Sequence, residues 1–221
     1  VALVGEGFDF ANHGMDHTGG SNLEECDYQI SEAAKRIRTW NGKPFMLWHQ
    51  GGDTEWPITE QQRIDLLVNN GIYPHWDQPG RGLGIRDGGN TDRSASTLRG
   101  YVDACLADGD WHWTLFHGIG GDWVVQSKQA FIDMLDYMQT KEDRLWLPTC
   151  TNAHKYKFER LNTQLSVVSA SVQEIEISLE FAALNCDPVD ESYFDPDVYD
   201  MPLTLVTQVP SSWTHCQVAQ A

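Results

Sequence analysis

Basic residues are scarce in this chain of 221 residues. The 15 Lys and Arg stand against 32 Asp and Glu, a net charge of −17 with histidine neutral. A surface of that sign repels phosphate backbones and anionic bilayers, which argues against nucleic acid as a partner and leaves neutral glycans compatible. No apolar run approaches the roughly 20 residues that cross a bilayer, so no membrane span is expected. The five cysteines, Cys26, Cys105, Cys150, Cys186 and Cys216, form no Cys-x-x-Cys pair, so a cysteine-built zinc site is not expected. Their odd number leaves at least one free thiol, and Cys186 and Cys216 share a C-terminal segment in which an oxidising compartment would let them pair. The first residues carry no basic-then-apolar signal pattern, and Val1 opens into what reads as a folded domain.

What is present is an ordinary globular composition, 41% hydrophobic and 21% charged, with nine tryptophans. Such a length accommodates one large domain, or one domain with a small appendage. Tryptophan fills cores, and it also stacks on the apolar faces of sugars. Strand-like and helix-like segments alternate. Residues 3–12 read as a strand running into a turn. A helix is expected over 21–41, with a capping-box pattern at Ser21 and Glu24, apolar steps at Leu23, Cys26, Ile30, Ala33 and Ile37, and a stop at Asn41-Gly42. Phe45 to Trp48 reads as a buried strand. A helix over 59–69 turns Ile64, Leu67 and Val68 inward, and Ile72 to Trp76 reads as the next strand. A long glycine-bearing loop is expected over 77–94, then a helix over 96–108 and a strand over 111–117. A helix over 127–141 places Phe131, Met134, Leu135 and Met138 inward. Leu145 to Leu147 reads as a strand and 152–160 as a short helix. Alternation with crossovers of these lengths implies parallel strands, in an open sheet or a closed barrel. Beyond Leu161 the chain turns β-rich, with strands expected at 165–168, 174–179, 203–206 and 214–218.

Two segments carry chemistry. Asn12-His13-Gly14-Met15-Asp16-His17 follows directly on a strand, and two imidazoles four residues apart can face one metal ion. The same spacing also suits two solvated or core histidines, because the chain has eight. Leu115-Phe116-His117-Gly118-Ile119-Gly120-Gly121-Asp122-Trp123 ends an apolar strand at a histidine and continues into glycines. A histidine so placed can exchange a proton with a reacting group, or simply cap the strand through a hydrogen bond.

These two segments resemble motifs of the polysaccharide deacetylases, a family of metal-dependent carbohydrate esterases. His13-Gly14-Met15-Asp16-His17 is similar to the family's two-histidine metal motif, and Leu115-Phe116-His117 to its late Leu-x-His motif, in the same order and strand context. Trp146, the run Thr149 to Arg160, and the tail Asp195-Pro196-Asp197-Val198-Tyr199-Asp200-Met201-Pro202-Leu203-Thr204 resemble one branch of that family more loosely. The resemblance implies a distorted (β/α) barrel, incomplete at the N-terminus, over residues 1–162, with a β-rich extension over 163–221. It implies that His13 and His17 bind Zn2+ or another divalent metal and that His117 acts as catalytic acid. It also implies that Trp48, Trp76, Asp122 and Trp123 contact the sugar. The family's opening Thr-Phe-Asp-Asp-Gly type motif, source of a metal-binding Asp and of the base, does not precede His13. A missing N-terminal segment or a second chain would have to complete the barrel and supply it, because Asp9, Asp53 and Asp77 are poor replacements. Trp48-His49-Gln50-Gly51-Gly52-Asp53 stands where the family has an Arg-x-Pro-Tyr-Gly type segment, and Gly14 where it has Ser or Thr.

The expectation is therefore metal-dependent deacetylation of an acetylated polysaccharide or oligosaccharide, outside the cytoplasm or in the periplasm. The alternative is a catalytically inactive deacetylase-like protein that binds glycans. A metal hydrolase of another class would need further ligands, for which His49, His75 and His112 are loose candidates.

Overall fold

A computed structural model describes residues 6–42, 46–51, 56–73, 87–88, 92–109, 111–121, 125–182 and 197–219. Among these the chain is a mixed α/β protein. Helix α1 (Leu23–Asn41) leads to strand β1 (Met46–Leu47), helix α2 (Glu60–Asn69) and strand β2 (Ile72–Tyr73). Strand β3 (Asp87–Gly88), helix α3 (Ala95–Asp108) and strands β4 (Thr114–Leu115), β5 (Gly118–Ile119) and β6 (Val125–Gln126) follow. Helix α4 (Lys128–Gln139), helix α5 (Cys150–Asn162) and the hairpin β7 (Thr163–Ala170) with β8 (Ile175–Phe181) complete the order. β1 pairs with β2, β3 with β4 and β5 with β6, all parallel, and β7 pairs with β8 antiparallel. A parallel bridge from Asn12 to Trp48 extends the β1–β2 pair on its other side. The parallel pairs among the described residues do not close into a barrel.

Local chemistry sets the helix ends. The start of α1 lies one residue beyond the expected box. Asn22 is the N-cap and accepts from the Glu25 N–H at 3.0 Å, while the Glu25 carboxylate reaches back to the Ser21 N–H at 2.8 Å. Asn22, one residue nearer the helix, takes through its side-chain oxygen the free N–H that was expected to go to Ser21. Gly42, at φ 66°, closes the helix in the left-handed region, as expected for the glycine after Asn41. Thr59 and Gln62 form a full capping box on α2, and Ser94, Ser127 and Thr149 cap α3, α4 and α5.

The core divides by element. Ile30 and Ala34 of α1 and Leu67 of α2 pack on Trp48 and Ile72, which gives the β1–β2 pair its helical cover. Leu98 and Val102 of α3 meet Ala130 and Met134 of α4, with Phe116 and Phe131 alongside. A third cluster joins distant parts of the chain. Leu47 packs with Phe158 of α5 and Tyr199 of the tail, and Phe181 of β8 lies against them. The Phe158 ring centroid stands 4.7 Å from that of Tyr199 and 6.0 Å from that of Phe181. Polar contacts hold the tail on the same helix: Lys155 Nζ lies 2.9 Å from Asp200, and the Met201 N–H donates to Glu159 at 3.1 Å. Burial pushes the Glu159 carboxyl above its ordinary range. Burial likewise pushes the Cys150 thiol up to about 11, with the Asp9 carboxylate adding to the effect. A cysteine at a helix N-terminus is ordinarily acidified. Here desolvation wins, so Cys150 is a protonated, core-facing thiol at neutral pH.

Several expected strands are absent. Leu145 to Leu147 is extended but unpaired among the described residues. Leu145 packs on the α3–α4 cluster, and Trp146 and Leu147 are exposed. Segments 203–206 and 214–218 are likewise irregular, with Val206 and Val218 open to solvent. β-branched content favours a strand only when a neighbour supplies the ladder and the covering face. For the same reason the strand over 111–117 shortens to β4, and residues 6–11 form no ladder before Asn12. Leu135, expected inward on α4, is 42% exposed. The strand residues Pro74 to Trp76, most of the loop over 77–94, and Cys186 lie outside the described residues.

Replacing Phe158 with Ala removes the ring shared by α5, β8 and the tail, and should cost about 3–5 kcal/mol of unfolding free energy in a denaturant titration. A loss below about 1 kcal/mol would mean that this cluster does not hold the C-terminal segment to the rest of the protein.

Candidate functional site

The two-histidine loop begins at Asn12, which is fully buried. Its backbone N–H donates to Leu47 O at 2.6 Å, and its carbonyl accepts from the His49 N–H at 3.0 Å. The side-chain amide donates to Ile30 O of α1 at 2.9 Å, and its oxygen accepts the Gly14 N–H at 2.9 Å. That last bond turns the chain immediately after His13. Gly14 has φ 87°, in the left-handed region where any other side chain is strained.

A second buried amide shapes the rest of the loop. Gln29 of α1 is 4% exposed. Its Oε1 accepts the Met15 and Asp16 N–H groups at 2.9 and 3.2 Å, and its Nε2 donates to Asp16 Oδ1 at 2.6 Å. Asp16 Oδ1 also accepts from the Thr18 hydroxyl at 2.6 Å and the Thr18 N–H at 3.1 Å. These bonds, the Thr18 hydroxyl first and then Gln29, hold the Asp16 carboxyl below its usual value. Asp16 Oδ1 is therefore committed to its own loop. His17 follows at φ 67°, a non-glycine residue in the left-handed region.

Strand pairing brings a further histidine to the pair. The His13 and His17 ring centroids are 5.0 Å apart, edge to face, and those of His13 and His49 are 5.6 Å apart. His13 Nδ1 lies 2.8 Å from His49 O. A carbonyl oxygen only accepts, so Nδ1 carries the proton and Nε2 keeps the lone pair. His49 Nδ1 makes the same kind of bond to Gln50 O at 2.9 Å. Gly51 passes so close to this group that a Cβ there would overlap His13 O and press on the His17 ring. A backbone carbonyl holding Nδ1–H is the usual partner of a metal-ligating histidine, because it fixes the tautomer that offers Nε2. His13 offers Nε2 in that tautomer, with the His17 ring beside it. Among the described residues no group of three or more His, Cys, Asp or Glu side chains is placed to hold a metal ion.

The other expected site residues are distributed as follows. His117 is exposed, in the bend between β4 and β5, and the described ring contacts of His13 do not include it. His117 follows the C-terminal end of β4, and His13 follows the isolated parallel bridge at Asn12. Trp48 is 1% exposed and belongs to the core, with Trp56 5.8 Å from it edge to face and the Arg63 guanidinium 5.4 Å from its ring. Its enclosed ring serves packing and offers no face to a sugar. Trp76, Asp122 and Trp123 lie outside the described residues, as do Asp53, His75 and Asp77. His112 is tied to Asp108 at 3.1 Å, below β4.

Sequence reasoning overlooked Asn12 and Gln29 and gave His49 little weight. Gln29 did leave a signal, an amide on the apolar face of α1 between Cys26, Ile30 and Ala33. Comparison with protein-family models, with curated proteins and with solved structures finds no match to this chain.

A carboxyl whose pKa is lowered by folding contributes its bonds fully above the unfolded value and loses them as pH falls through the folded one. NMR titration of Asp16 should therefore show a midpoint below 3.8. Replacing Gln29 with Leu should raise that midpoint, since Gln29 is its second-largest cause. A midpoint at or above 3.8 in the unaltered protein would mean that Gln29 and Thr18 do not hold the loop through this carboxylate.

Proposed function

We propose that this protein hydrolyses acetyl groups from an acetylated polysaccharide or oligosaccharide, using a divalent metal such as zinc at His13 and His17. The observation that carries the reading is the His13 tautomer. Its Nδ1–H is committed to His49 O, and its ring stands 5.0 Å, centroid to centroid, from a second imidazole just beyond the parallel bridge at Asn12. When bound, the ion supplies Lewis-acid polarisation of the acetyl carbonyl and makes water more acidic.

The protein's residues do the rest. His13 and His17 hold the ion, with Gln29 and Asn12 fixing the loop that carries them. Water adds to the acetyl carbon, the C–N or C–O bond breaks, acetate leaves, and His117 gives its proton to the departing amine or hydroxyl. Trp76, Asp122 and Trp123 line the path of the sugar. The parallel pairs belong to a distorted (β/α) barrel, with residues 163–221 as its extension. An N-terminal segment or a second chain supplies the acidic motif that completes the metal shell and furnishes the base. A polysaccharide substrate places the enzyme outside the cell or in the periplasm.

Metal analysis of the purified protein and of the His13→Ala variant is the direct test. Zinc in stoichiometric amount, lost in His13→Ala, is expected. Acetate release from chitin oligosaccharides or acetylated xylan should fall by about 10²–10⁴ in His117→Ala. Metal retained equally in both proteins would overturn the assignment of His13. Glycan binding with no acetate released from either substrate would leave a binding protein in place of the enzyme.

A further inference from the structure

A cavity of about 670 Å³ lies among α3, α4, α5 and the segments flanking them. This is within the size of small-molecule sites. Val102 and Leu106 of α3, Met134 and Met138 of α4, and Leu145 form an apolar wall. Arg144, Lys157 and Arg160 stand on the same cavity. That is a concentration of cations on a protein with 15 basic and 32 acidic residues. None of the ion pairs among the described residues uses Arg144 or Arg160. His112, also on the wall, has a side chain 9% exposed. Its Nε2 faces Asp108 at 3.1 Å, while its Nδ1 is buried without a hydrogen-bond partner. Trp111, His112 and Thr114 line the cavity at the start of β4, whereas His117 follows the other end of that strand. The cavity therefore opens away from the proposed acetyl-hydrolysing end and does not depend on that reading.

We infer that this cavity binds an amphipathic carboxylate, an alkyl or aryl acid whose apolar body lies on the α3–α4 wall. Its carboxylate meets Arg144 and Arg160. An apolar wall alone would accept a neutral ligand equally well. The unpaired guanidinium groups select the anion, because a charge-assisted bond is about twice as strong as a neutral one.

The half-buried Cys105 thiol on the same wall reports occupancy, with the exposed Cys216 as internal control. Site-resolved alkylation by mass spectrometry would compare the two thiols with octanoate, with 1-octanol and with neither. Octanoate should protect Cys105 and leave Cys216 unchanged, at concentrations about tenfold lower than 1-octanol requires. Arg144→Gln combined with Arg160→Gln should abolish that preference. Equal protection by the acid and the alcohol would show a merely apolar cavity and overturn the assignment of an anion. No protection of Cys105 by octanoate would overturn the site itself. The comparison of the two ligands is made on the unaltered protein, so it holds even if the double variant folds poorly.

Discussion

One buried amide organises this protein. Asn12 has no exposure, and all of its polar groups are engaged at once, with the backbone on β1 and the side chain on α1 and Gly14. Taking an amide into the interior is costly unless every donor and acceptor is matched. When the matching is complete, it specifies one arrangement. Here that arrangement joins a strand, a helix and a turn. The position of His13 beside His49 follows from it, since the bond pattern that aligns Asn12 with Trp48 also brings the next residues of both segments together.

The histidine loop illustrates how backbone strain and polar satisfaction offset each other. Gly14 and His17 both adopt positive φ. Glycine does so freely, and a histidine does so at a cost of order 1–3 kcal/mol. The bonds from Gln29 to the Met15 and Asp16 N–H groups, and from Asp16 to Thr18, hold the loop in that shape. Asp16, between the two histidines in the chain, commits its Oδ1 to the loop.

Burial rather than charge decides the state of several other groups. Cys150 is raised mainly by desolvation despite its place in the first turn of α5, and Glu159 is raised by the same cause despite the Met201 N–H and Lys155. Both sit where the tail crosses α5. The aromatic contact of Tyr199 with Phe158 excludes water there and makes the neighbouring dipoles and charges secondary. Desolvation thus raises both groups along this seam, beside the Lys155–Asp200 ion pair. The cations of Arg144, Lys157 and Arg160 gather farther along, around the cavity.

The sequence by itself determined the elements whose signals are local. The period of Cys26, Ile30 and Ala33, the stop at Gly42, the box of Thr59 with Gln62 and the alternation of helix and strand all correspond to described structure. Each depends on interactions within a turn or two of chain, which spacing alone can encode. The proximity of His13 and His17 was legible for the same reason. What only the tertiary structure decided depends on partners far along the chain. Trp48 became a core residue because α1 and α2 cover it, although its composition suited a sugar platform equally well. His49 joined the pair through a strand bridge across 36 residues. Leu145 to Leu147, and the tail segments rich in valine, remained irregular because no described strand lies alongside to pair with them. A strand, a buried amide and a shared metal site are each completed by a neighbour, and the identity of that neighbour is not a property of the local sequence.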